Sequence, residues 1–266
     1  MSKAAALLLA SWRSARSYRL RMLFSAMALL VTVVPVWYAA RALQPLMAPS
    51  IRGQGHQYFA FLLVGMSTFT LLTFAVTALP TAVAGGIGNG SLEAYLSTPI
   101  RLPELLTGLV AYDFVWALLR ALLVVSMGAL FGAQFVWARV LTALLIGALI
   151  VAAYLPIGLI GAALMMVFRT TGPLPQAVLL VSGLLGGVYF PTQVIPGWIQ
   201  GASVLVPLTY GLRALRATLI DGAPLGVVVG DVATLFGIAV ALGLVAAVSV
   251  SMALRQVRRS GTLTHG

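Results

Sequence analysis

An all-α integral membrane protein with six transmembrane helices is the fold class this sequence predicts, and three observations predict it. Hydrophobic residues make up 61% of the 266 and charged residues 8%, with a mean hydropathy of +1.05; a water-facing surface needs more polar side chains than that. Apolar stretches recur at lengths able to cross a hydrocarbon core of about 30 Å at 1.5 Å per helical residue. The arginines that give the formal charge of +11 flank those stretches. That placement favours topology determinants and anionic lipid head groups over nucleic acid as their explanation.

Taken in order, residues 1–21 come first. At 100° per residue Ala4, Leu7, Leu8, Ser11, Ala15 and Tyr18 gather on one side, with Lys3, Arg13, Arg16 and Arg21 off that stripe, which predicts a helix lying flat at the membrane interface. A secretory signal is the competing reading, and both the charged region and the apolar run after it are too long for one. Met22 to Ala40 is the first span, Arg41 to His56 a loop, and Tyr58 to about Ala84 the second span, kinked near Pro80. Leu105 to Phe131 is the third and Val140 to about Phe168 the fourth. After the turn RTTGPLP, Leu174 to Phe190 is a fifth, with Gly183 and Gly187 at a spacing that lets helices approach closely. Leu225 to Leu254 is the sixth. The whole of 1–266 reads as one domain without internal repeats.

Between the second and third spans, residues 85–104 (GGIGNGSLEAYLSTPIRLPE) predict a short capped helix. Gly85, Gly86, Gly88 and Gly90 break the preceding helix, and Asn89 or Ser91 caps the next. Glu93 falls in its first turn, where the helix dipole favours an anion. Pro99 restricts Thr98 and ends it, and Pro103 opens the following helix. A small helix held between two spans and free on one side is suited to docking into a partner.

Residues 191–223 fit neither a span nor a solvated loop. Pro191, Pro196 and Pro207 forbid one continuous helix, whereas Val194, Ile195, Trp198, Ile199, Val204 and Leu205 are too apolar for free water. A re-entrant pair of short helices in the outer leaflet satisfies both, with Trp198 and Tyr210 at head-group level; an amphipathic surface loop is the alternative. Six spans put both termini on one side. Ten Lys and Arg fall on that side against five on the other, which places the termini and residues 85–104 in the cytoplasm.

Much chemistry is excluded. The chain has no cysteine, and its two histidines, His56 and His265, lie in a loop and at the C-terminus, so thiolate and paired-histidine metal sites are both ruled out. HExxH, GxSxG and GxxxxGK[ST] motifs are missing, which leaves no hydrolytic centre and no P-loop for ATP. Asp113 and Arg120 are read as the intramembrane charges, seven residues apart on one face of the third span. They fit either a substrate or proton path or a structural bridge that fixes helix packing.

Two motifs carry a family resemblance. GSLEAYLSTPI, Gly90 to Ile100, resembles the G-x-L-E-x-L-x-x-T-P segment between spans two and three of permease subunits in type-2 ATP-binding-cassette exporters, the group that includes drug-resistance, polysaccharide and sodium efflux permeases. YFPTQVIPGWIQ followed by PLTYGLRALR, Tyr189 to Arg216, is similar to the family's signature before its last span. The resemblance covers essentially the whole chain. It implies that Gly90, Ser91, Leu92, Glu93, Tyr95, Leu96, Thr98 and Pro99 form a coupling helix seated in a separate ATPase subunit, with Tyr95 standing where an aliphatic residue is commoner. It also implies that Tyr189, Pro191, Pro196, Trp198, Pro207, Tyr210 and Arg213 belong to an outer gate.

By the same resemblance, two P-loop ATPase copies hold the ATP and Mg, and a second permease copy or paralogue completes the complex. This chain itself carries no cofactor and no metal. The location implied is the inner (cytoplasmic) membrane, among lipids, with a small amphiphilic cargo, drug-like or lipid-like, exported outward and no nucleic acid bound. Two rival classes are an ion-coupled secondary transporter, against which the lack of a repeat and of a second intramembrane acid count, and a non-transporting scaffold, for which the re-entrant segment would be superfluous.

Overall fold

A computed structural model describes residues 19–51, 54, 56–89 and 102–260. Among these the secondary structure is helical throughout: α1 (Arg19–Met47), α2 (Tyr58–Gly88), α3 (Leu102–Leu130), a 3-10 turn at Trp137–Arg139, α4 (Val140–Phe168), α5 (Leu174–Leu185), a second 3-10 turn at Thr192–Val194, α6 (Gly197–Ser203), α7 (Pro207–Leu219) and α8 (Leu225–Ser260). Among the described residues, four stretches are long and apolar enough to cross a membrane: Tyr58–Gly88, Asp113–Leu130, Trp137–Phe168 and Leu225–Ala253. The chain is a multi-pass helical membrane protein.

Helix α2 is the centre of the bundle. Of its most apolar window 67% is buried within the protein, against 11% for α8, so α2 is sheathed by neighbours while α8 presents most of its surface outward. α2 packs on α3 and α4, α4 packs on α8, and α1 lies against α2. Glycines on α4 set how closely it meets α2. A methyl on Gly158 would overlap the Ala75 carbonyl, and one on Gly161 would come within 2.8 Å of Pro80 Cγ. Without water, every hydroxyl on α2 needs a partner inside the protein. Thr68, Thr70, Thr73 and Thr77 donate to the carbonyls four residues earlier, Val64, Met66, Phe69 and Thr73, at 2.7 to 3.0 Å.

Several boundaries differ from those the sequence predicts. α1 continues through Arg41 to Met47, past both Pro35 and Pro45. The side chain of Gln44, in its last turns, donates to the His56 carbonyl and accepts from the Tyr58 amide at 2.7 Å, which ties the end of α1 to the start of α2. α2 does not break at its glycines. It runs through Gly85 and Gly86 to Gly88, since an interior glycine costs only about 1 kcal/mol relative to alanine, and Asn89 is its C-terminal cap rather than the cap of a new helix. α5 has 12 residues, about 18 Å long, and stops at Leu185 instead of reaching Phe190. Gly186 and Gly187 turn the chain there, Gly187 at φ +79, a conformation that favours glycine. α8 extends to Ser260. The interfacial helix expected at 1–21 and the coupling helix at Gly90 to Pro99 lie outside the described residues, apart from Arg19 onward.

Candidate functional site

The segment from Gly186 to Gly222 forms a short-helix hairpin, and its prolines act as punctuation. Pro191 precedes the 3-10 turn, Pro196 is the N-cap of α6 and Pro207 occupies the first turn of α7. Trp198 is 85% exposed and Leu205 80%, apolar groups turned away from the bundle at the hairpin tip. Tyr210 donates its hydroxyl to the Val204 carbonyl at 3.0 Å, which joins α7 to the end of α6.

Three polar clamps hold the hairpin on the bundle. Tyr154 of α4, 1% exposed, places its hydroxyl 2.9 Å from Ser182 Oγ of α5 and accepts the Leu208 amide of α7 at 3.3 Å. That amide is one of the unpaired donors every helix start carries. Tyr58, at the start of α2, donates to the Tyr189 carbonyl at 2.8 Å. Arg216, 1% exposed, donates from Nη2 to the carbonyls of Phe61 and Val188 at 3.1 and 3.2 Å, and its guanidinium lies 3.4 Å from the centre of the Phe61 ring. Gly65 leaves the room for this: a methyl there would collide with the Val188 carbonyl and sit 2.8 Å from Arg216 Nη2.

The Tyr58 and Arg216 clamps engage the end of the bundle where α2 begins, while Tyr154 reaches α7 from midway along α4. α2 has 31 residues, about 46 Å of helix, so Gly88, which leads into residues 90–101, stands at the far end from the hairpin.

Arg213 lies beyond the buried stripe of α7 and makes a two-pronged ion pair with Asp231 of α8, Nε to Oδ2 at 2.7 Å and Nη2 to Oδ1. The reading that takes Asp113 and Arg120 as the intramembrane charges therefore passes over Asp231, six residues into α8 and a second acid in an apolar helix. Its bond to Arg213 at the hairpin end accounts for it without an ion-carrying role. Asp221, in the loop after α7, sits 4.0 Å from the exposed His56. Burial pushes its carboxyl up from the usual range and His56 opposes the shift. Asp113 and Arg120 are both exposed on α3, with Arg120 5.8 Å from the Trp116 ring.

Arg216 is not among the residues that the sequence marks for the gate. The signal was available: Leu208, Leu212, Leu215 and Leu219 fall within about 60° of one another on a helical projection, and Arg216 lies at the edge of that stripe while Arg213 lies well outside it.

Beside the hairpin, an apolar cleft of about 280 Å³ runs between α2, α3 and α4. Val64, Leu71, Phe114 and Val151 line its walls, and Leu215 and Leu219 of α7 close one end. Ser67 and Thr68, on its wall, both donate to the Val64 carbonyl, so the hydroxyls that α2 contributes to the cleft are already paired. Leu122, Trp137 and Leu144 line it and are exposed, which opens it sideways between α3 and α4.

Fold and site together define a membrane protein built as a helical bundle with a clamped short-helix hairpin at one end. The family model for ABC-2 type transporter matches residues 4–220. The chain belongs to the ABC-2 type transporter family and is a membrane permease component of an ABC-type transporter, the part that is not the ATPase. Permeases of this family work with an ATPase subunit. None of the curated proteins searched matches the chain.

Proposed function

We propose that this chain is the permease subunit of an exporter that moves an amphiphilic, lipid-like or drug-like molecule outward, with ATP hydrolysed by two copies of a separate ATPase. The observation that carries the reading is the apolar cleft, about 280 Å³ and open between α3 and α4. A cavity lined by hydrocarbon and free of unpaired charge receives an acyl chain or aromatic body and rejects a sugar polymer. Residues Gly90 to Pro99 are the coupling helix in this account, cytoplasmic and at the end opposite the hairpin. The hairpin with Tyr189, Trp198, Tyr210 and Arg213 is the outer gate.

A second permease copy fits the outward face of α3. A charged residue near the middle of a lipid-facing helix costs about 2.5–3.5 kcal/mol on insertion scales, and Arg120 is exposed there; a neighbouring permease would remove it from lipid. Both termini are assigned to the cytoplasm of an inner-membrane protein by the arginine distribution.

The test is reconstitution. Liposomes holding the chain and a co-purified P-loop ATPase should export a fluorescent amphiphile in a vanadate-sensitive way, and Leu96→Asp should abolish transport while the protein still inserts. Transport without any ATPase, driven by an ion gradient, would refute the proposal in favour of a secondary carrier.

A further inference from the structure

A polar cavity of about 60 Å³ lies under the hairpin, separate from the apolar cleft, bordered by Gln54, Gly187, Thr192, Arg213 and Arg216. Its charge is unbalanced. Asp231 is taken by Arg213 and Asp221 stands nearest His56, and among the described residues no carboxylate pairs with Arg216. Arg216 is buried and its guanidinium is only partly satisfied. Nη2 serves two carbonyls, Nη1 reaches only Gln54 Oε1 at the limiting distance of 3.5 Å, and Nε has no partner. Nη1 is the nitrogen turned to the cavity, since Gln54 borders it and a methyl on Gly187 would stand 3.9 Å away. A buried guanidinium held by neutral acceptors alone is costly unless a counter-charge completes it.

We propose that this cavity binds one phosphate group, with Arg216 as its counter-charge. The space, about 60 Å³, is larger than a single water needs and is lined mainly by polar groups, which suits a compact oxyanion. Nη1 carries two N–H donors and only the distant Gln54 Oε1 as partner, so it can donate a charge-assisted hydrogen bond to a phosphate oxygen. The mouth lies beside exposed Gln193 and half-exposed Arg213, at the end of the bundle where α2 and α8 begin and α5 ends. That is head-group depth, so a phospholipid head group can enter from the membrane and inorganic phosphate from water. The site stands whether or not the chain exports an amphiphile.

The experiment uses the full chain, stripped of lipid in detergent. One arm measures, by native mass spectrometry, retention of phosphatidylglycerol against phosphatidylcholine; the other measures the thermal shift produced by inorganic phosphate against chloride at equal ionic strength. One phosphatidylglycerol retained per chain identifies the lipid source, and a phosphate-specific shift identifies the free anion. In either arm Arg216→Gln should weaken binding by about 10- to 100-fold, the loss of one charge-assisted hydrogen bond, and Arg216→Lys should restore part of it. Should Arg216→Gln not fold, Thr192→Leu decides, because it fills the cavity and leaves the arginine in place. Unchanged binding in Thr192→Leu overturns the proposal. So does an equal loss in Arg169→Gln at the opposite end, which would indicate general attraction to basic residues, or the absence of binding in both arms.

Discussion

Replacing Tyr154 with phenylalanine removes one oxygen and tests whether the hairpin is held by the polar clamp or only by its apolar face. That oxygen serves two groups, the Ser182 hydroxyl at 2.9 Å and the Leu208 amide at 3.3 Å. Leu208 is fully buried and Ser182 is 4% exposed, so neither recovers a bond from water. In a soluble core each orphaned group would cost about 1–3 kcal/mol. Inside a membrane the measured worth of such bonds is smaller, about 0.6 kcal/mol on average and 1.7 at most, because the unfolded chain also finds partners. Two bonds then predict a loss of about 1–3 kcal/mol for Tyr154→Phe.

Ser182→Ala should cost less, since the tyrosine keeps the Leu208 amide. In the double variant the Ser182 hydroxyl no longer exists to be orphaned, so the losses should fall short of additive, the mark of a shared network. Reversible unfolding in mixed detergent micelles gives all four corners of the cycle. A Tyr154→Phe protein within about 0.5 kcal/mol of the parent, or strictly additive losses, would sink the view that this clamp holds α7 to α4 and α5.

Three further outcomes follow from the packing. Gly158→Val should prevent assembly of α2 on α4, seen as loss of folded protein in size-exclusion chromatography, because its side chain meets the Ala75 backbone; Gly237→Ala, where nothing lies within 4 Å, should fold normally and gain up to about 1 kcal/mol. Arg213→Ala should lower stability by no more than about 1 kcal/mol, since the Arg213 side chain is 50% exposed and the pair is screened by water; a much larger loss in the unfolding assay would mean that the ion pair is buried in the assembled protein. Gly147→Trp should fill the apolar cleft, whose wall it lines without a neighbour within 4 Å, and block amphiphile transport while ATPase binding persists; unimpaired transport would take the cleft out of the cargo path.

How far the sequence foretold these features depended on whether a local signal carried them. α4 appears at its expected bounds, Val140–Phe168, because one uninterrupted apolar run sets it. The hairpin was legible from Pro191, Pro196 and Pro207, each of which removes a backbone donor and so forces a boundary. The glycines at 85–88 misled because propensity says what a helix costs and not whether packing outweighs it; α2 absorbs three of them, Gly85, Gly86 and Gly88, in its last turn and is capped by Asn89. Asp231 was hidden by its setting in an apolar run, where one acid barely moves a window average. Its partner Arg213 lies 18 residues earlier on another helix, a pairing that no spacing rule anticipates.

Arg216 shows the same limit and why it matters. The sequence places it on α7 and, by periodicity, at the edge of the apolar stripe, but the acceptors that hold it come from elsewhere: Gln54 before α2, Phe61 on α2 and Val188 in the turn after α5. Those contacts join segments up to 162 residues apart, and Gly65 leaves the space that the guanidinium and the Val188 carbonyl occupy. A cation so placed resists displacement, since withdrawing it would orphan two buried carbonyls at once. The hairpin is therefore tied to the start of α2, and a displacement that kept these bonds would carry both together. A phosphate in the cavity would add an acceptor on Nη1 and leave the two carbonyls on Nη2, strengthening that tie rather than releasing it.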